Sequence, residues 1–137
     1  MGWQAKCTAT GGSLIGAMLI ASVAPADALT LWTKGFRPTG DVGGNGRVVR
    51  EWLDGVGCSK GNRLTIEVTL TQGDVIGTAE RELQCDGEVR SALVVIHADA
   101  GRFAEGPAHV EAIATERDRS GAVVGVEHRS PDIMLRD

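Results

Sequence analysis

The sequence predicts an all-β domain, a sandwich of about seven or eight short antiparallel strands. Three observations carry this expectation. Apolar residues alternate with period two along several segments, Gly, Asp and Asn turns punctuate them, and no stretch beyond residue 28 places apolar side chains at a helical period.

The clearest element is Arg63–Gln72, where Leu64, Ile66, Val68 and Leu70 share one parity and Thr65, Glu67, Thr69 and Thr71 the other. Laid on a helix, those apolar side chains would scatter around the circumference. After Gln72-Gly73-Asp74, a second strand over 75–85 places Val75, Gly77, Ala79, Leu83 and Cys85 on one face, which Arg81 interrupts. Asp86-Gly87 is a hairpin dipeptide, so the apolar stretch 92–96 is expected to pair antiparallel with that strand.

Upstream, the segment 46–58 reads as a strand with Val48, Trp52, Val56 and Cys58 on a common, core-facing parity. Downstream, 109–115 and 122–128 are two more, and short strands are expected at 29–33 and 133–135. The segment 34–46 is too rich in glycine to hold a regular element and reads as a flexible loop. Phe103 falls in a loop, where it caps the end of the core, and Trp32 is either a second plug or an exposed anchor.

The N-terminus reads as a secretory signal peptide. Lys6 and the amino group supply a small positive region, the uncharged run from Ser13 to Ala24 supplies the apolar one, and Ala26-Asp27-Ala28 puts small residues at the two positions a signal peptidase reads. An uncleaved span would need about 20 mostly apolar residues, whereas this run has about 12. Cys7 precedes the apolar run, the wrong place for lipid attachment, and no twin-arginine pair is present. The expected organisation is therefore a signal peptide over 1–28, a short strand and flexible Gly-rich segment over 29–46, and a β-sandwich over 47–137.

The formal charge of −4 is unchanged by processing, because Lys6 and Asp27 leave together. Basic residues are interleaved with carboxylates rather than concentrated, which excludes nucleic acid as a partner on sequence grounds. Loss of Cys7 leaves Cys58 and Cys85, an even pair expected to form a disulfide in an oxidising compartment. Closing that loop contributes about 3.5 kcal/mol in the chain-entropy account. Neither cysteine has C-x-x-C spacing or a second pair with which to build a zinc site.

Side chains able to carry chemistry are few. His97-x-Asp99 and His109-x-Glu111 each set an imidazole and a carboxylate on one face of a strand, and Glu127-His128 adds another pair. Such pairs could hold a divalent metal, although polar residues on solvated strand faces look the same. Ser59, Ser91, Ser120 and Ser130 lie in no G-x-S-x-G elbow, and 43–46 has no strand, helix or Lys-Ser/Thr pair with which to cradle phosphate. No catalytic residue and no cofactor is assigned.

A strand ending at Cys58, Gly61, the alternating strand ending at Gln72, Cys85-Asp86-Gly87 and Phe103-x-x-Gly106-x-Ala108-x-Val110-x-Ala112 together resemble small exported immunoglobulin-like proteins of high-GC Gram-positive bacteria (actinobacteria). The resemblance spans Val48 to Thr115 and implies an immunoglobulin-like sandwich and export, with no activity to transfer. In antibody domains a tryptophan lies between the cysteines and a tyrosine just before the second; here Trp52 precedes Cys58 and tyrosine is absent.

The functional expectation is a secreted, non-catalytic module whose loops or sheet edge meet a protein or cell-surface ligand, with no membrane contact after processing. The alternatives are a small metal-dependent enzyme using His97, Asp99, His109 and Glu111, and a carrier of a small apolar ligand in the core.

Overall fold

A computed structural model describes residues 32–137. The expected signal segment 1–28, with Ala26 and Ala28, lies outside the described residues, as do positions 29–31 of the first expected strand. Among the described residues the regular elements are nine strands and one 3-10 turn at Gly44–Gly46. The strands are β1 (Trp32–Phe36), β2 (Thr39–Gly43), β3 (Val48–Val56), β4 (Arg63–Gln72), β5 (Val75–Gln84), β6 (Arg90–Ala100), β7 (Gly106–Arg117), β8 (Val123–Arg129) and β9 (Asp132–Arg136).

The chain is all-β, as its periodicity implies, but the expected two-sheet immunoglobulin-like sandwich is not confirmed. Hydrogen bonding runs continuously through β3, β2, β9, β7, β4, β5 and β6 and returns to β3, closing a seven-strand barrel. Closure pairs edges that an open sheet would leave exposed. Its two ends are far apart in sequence, so no local pattern announces the β3–β6 ladder.

β1 and β8 are additions to the ring. β1 lies along the Leu53 to Val56 end of β3, and β2 along its Val48 to Arg50 end. β9 and β8 divide one edge of β7 in the same way, at His109 and before it, and from Ala112 onward. Each break falls at a proline, Pro38 or Pro131, whose missing N–H cannot continue a ladder. Their carbonyls still serve, accepting from Met134 N at 2.9 Å and Val110 N at 2.8 Å.

β4 is the central strand, in register with β5 along its whole length and with β7 from Arg63 to Thr71. Its apolar parity is fully enclosed, and Val110, Ala112 and Ala114 of β7 meet it inside the barrel. Gly73 adopts φ +58° in the two-residue turn to β5. β5 does pair with β6, but only from Ile76 to Thr78. Beyond that point the ladder stops and Arg81, on the inward parity, donates to the Leu93 carbonyl across the gap. The polar interruption of an apolar face is thus the group that satisfies β6 where the seam opens.

Two further expectations are corrected. Trp52 faces outward, with the Arg37 guanidinium 5.2 Å from its ring centroid, while Val49, Glu51 and Leu53 point inward. A bulge between Leu53 and Val56, at whose centre Gly55 adopts φ +74°, inverts the parity. Counting back from Cys58 therefore lands on the wrong face. The segment 34–46 is not simply a loop: it contains the end of β1 and all of β2, which joins β3 to β9.

Phe103 is buried and plugs one end of the barrel. A Cβ on Gly77 would come within 2.9 Å of its ring. Gln72 holds the surrounding loop by pairing its amide with both backbone groups of Ala104, at 2.8 and 2.9 Å. At the opposite end Cys58 and Cys85 are bonded, with Cα atoms 5.3 Å apart. The bridge joins the chain just after β3 to the chain just after β5, spanning the start of β6.

Candidate functional site

The densest group of ionisable side chains lies on the outer face of β7. Alternation sends Val110 and Ala112 into the barrel, so His109 and Glu111 face solvent. His109 stands opposite Asp132 of β9, and the break around Pro131 brings Ser130 over both. His128 of β8 completes the group.

His109 Nδ1 lies 2.7 Å from Asp132 Oδ1, and its Nε2 lies 2.8 Å from Glu111 Oε2 and 3.0 Å from Ser130 Oγ. Ser130 Oγ donates to Glu111 Oε2 at 2.5 Å, and His128 Nε2 is 3.0 Å from Glu111 Oε1. The order Asp132, His109, Ser130 is that of a hydrolytic triad, but Glu111 changes its chemistry. A triad requires the serine hydroxyl to give its proton to a neutral imidazole. Here the hydroxyl is directed to Glu111, and a carboxylate faces each ring nitrogen.

Hydrogen bonds accepted by Asp132 and Glu111 raise the His109 pKa, so both nitrogens carry protons further up the pH scale than usual. The bonds from Ser130 and His109 hold Glu111 down at about 2. With a carboxylate at each ring nitrogen, the protonated form of the imidazole is favoured and can donate to both. Pro131, immediately after Ser130, has no N–H to offer an oxyanion. The group joins β7 to β9 and to the end of β8.

The structure divides the residues considered for a metal. His109 and Glu111 share the cluster, whereas His97 and Asp99 lie on β6, separated from β7 in the ring by β5 and β4. Asp99 instead accepts from Thr78 Oγ1 at 3.4 Å. Among the described residues no group of three or more His, Cys, Asp or Glu side chains is arranged to hold a metal ion. Asp132 escapes sequence reasoning, and His128 and Ser130, though singled out there, are not connected with His109 or Glu111, because the partners lie 17 to 23 positions apart; the strand break marked by Ser130-Pro131-Asp132 was the available signal.

Among the described residues, two carboxyl groups are fully enclosed. Glu116 Oε2 accepts from Asn62 Nδ2 at 2.6 Å and Ser59 N at 3.1 Å, tying the loop after Cys58 to the end of β7. Glu51 lies inside the barrel with neither oxygen hydrogen-bonded. Desolvation pushes its pKa up to about 8, against the smaller opposing effect of the Trp52 and Arg37 amides.

Compared with known proteins, the chain matches no protein-family model and shows no significant similarity to a curated protein.

Proposed function

We propose that this chain is exported through a cleaved signal peptide and acts outside the cytoplasm as a small, non-catalytic binding module for a protein or cell-surface ligand. The observation that carries the reading is the state of His109. Its two nitrogens are engaged by Asp132 and Glu111, and Ser130 is directed to Glu111, so the group best placed for hydrolysis satisfies itself. Export is supported by the apolar segment ending in Ala26-Asp27-Ala28 and by a disulfide, which persists in oxidising compartments. The resemblance to exported immunoglobulin-like proteins points to the same compartment.

Two measurements test this. Purified protein assayed against activated esters and phosphoesters, with and without zinc, is expected to show no turnover above buffer. Turnover abolished by His109→Ala or Ser130→Ala would make it an enzyme, and turnover that needs zinc would restore the metal-dependent alternative. Mass spectrometry of the culture fluid is expected to find an N-terminus at Leu29; an intact, membrane-held precursor would overturn export.

A further inference from the structure

We propose that the cleft between the start of β4, the end of β5 and the β7–β8 turn binds a tetrahedral oxyanion, the phosphate or sulfate group of a larger ligand. The cleft is open, with a volume of about 310 Å³, and it is lined by Gly61, Arg63, Gln84, Arg117, Asp118 and Arg119 among others. Three guanidinium groups thus gather on a protein whose formal charge is −4.

Register puts them there. Gln84, Arg63 and Arg117 are consecutive cross-strand partners on β5, β4 and β7, forming one row of donors. Like charges directly opposite each other destabilise a sheet. Nearby carboxylates do little to relieve them. Glu82 stands 3.6 Å from Arg63 Nε with both side chains mostly in solvent, where such a pair contributes little. Asp118 Oδ1 is committed to its own turn, accepting from Ser120 N at 2.9 Å, Ser120 Oγ at 2.6 Å and Ala122 N at 3.1 Å. Among the described residues neither Arg117 nor Arg119 has a carboxylate within ion-pair distance.

The third arginine lies against Gly61. The Arg119 guanidinium lies over Gly61, where an added Cβ would be 2.7 Å from Nη2 and 2.8 Å from Nε. Gly61 has φ +90°, and its N–H is fixed to the Cys85 carbonyl at 3.0 Å, so the disulfide-bearing loop seats this side chain. Guanidinium forks match the oxygens of phosphate and sulfate, and a doubly charged anion would relieve the Arg63–Arg117 repulsion. The local positive field also favours capture of such an anion by an otherwise acidic protein.

This inference deepens the binding-module reading and rests on it for its biological use, but its test is independent of catalysis. Protein expressed from the full-length gene and purified folded is titrated with sodium phosphate, and separately with sodium sulfate, at constant ionic strength set by chloride. Binding is followed by calorimetry and by the rise in Tm that ligand linkage requires. A saturable response is expected, at least about tenfold weaker in Arg117→Gln and in Arg119→Gln, each losing charge-assisted hydrogen bonds. Arg47→Gln, in the β2–β3 connection, retains it.

Preference for phosphate would point to phosphorylated ligands and preference for sulfate to sulfated ones. The chloride-only Tm of each variant shows that it is folded, and Arg119→Lys supplies a further variant that keeps the charge and loses the fork. No saturable response to either anion, or equal responses in parent and variants, would overturn the site. That outcome would leave the non-catalytic reading to the turnover assay.

Discussion

Gly40 and Glu51 meet inside the barrel, where a Cβ on Gly40 would lie 2.8 Å from Glu51 Oε1. The missing side chain on β2 is what admits a carboxyl group among Val49 and Leu135, which a Cβ there would also touch. With both oxygens unpartnered, the protonated acid is the form the interior tolerates.

Stability should therefore depend on pH through Glu51. Its folded pKa, about 8, lies above the ordinary 4.5, so between those values the folded state retains a proton the unfolded state has lost. Stability is highest below the ordinary value, falls as pH rises through this window, and levels off beyond about 8, a total of at most about 5 kcal/mol. Glu51→Gln should remove most of this slope in urea unfolding measured from pH 5 to 9. An unchanged slope would mean that Glu51 is ionised in the folded protein.

His109 adds a second dependence of the same sign, setting in above its ordinary value of 6.5. Because its pKa is raised, its contribution is complete below its unfolded pKa and lost as pH rises through the folded one. Glu111, held at about 2, contributes above its ordinary range and loses that contribution as acid takes pH down towards 2. Proton NMR titration should give His109 a midpoint above that of an exposed histidine, lowered by Asp132→Asn and, to a smaller extent, by Glu111→Gln. A midpoint insensitive to both would contradict the clasp.

Glycine replacements should separate crowding from backbone strain. Gly77→Ala places a Cβ 2.9 Å from both the His97 carbonyl oxygen and the Phe103 ring, and should cost about 1 to 3 kcal/mol. Gly73→Ala meets nothing within 4 Å, but must hold φ +58°, a cost of about 1 kcal/mol. Denaturant midpoints that rank Gly73→Ala as the more damaging would refute the Phe103 plug.

The bridge between Cys58 and Cys85 should make folded protein free of reactive thiols, Cys7 of any unprocessed chain excepted. Cys85→Ser is expected to cost about 2 to 5 kcal/mol, a large share of a small domain's stability. It should also loosen the loop that carries Gly61, Glu116's partners and the seat of Arg119. Thiol titration finding two reactive groups in the processed, folded protein would remove the pairing.

The strands that could be read from the chain are those whose burial is decided locally. Leu64, Ile66, Val68 and Leu70 alternate without interruption, and β4 runs over the predicted residues because each is enclosed by immediate cross-strand neighbours. The Cys58–Cys85 bond was legible because only two cysteines follow the N-terminal apolar run. Trp52 was not: its face depends on the bulge at Gly55, and a single extra residue reverses every side chain upstream of it. β2 hid behind glycines whose purpose, at Gly40, is set by Glu51 on another strand. The His109 cluster and the Gln84–Arg63–Arg117 row required registers between strands distant in sequence. Period-two alternation states which side of a strand is inward, but not which strand lies beside it; that was decided by the pairing that closes the barrel.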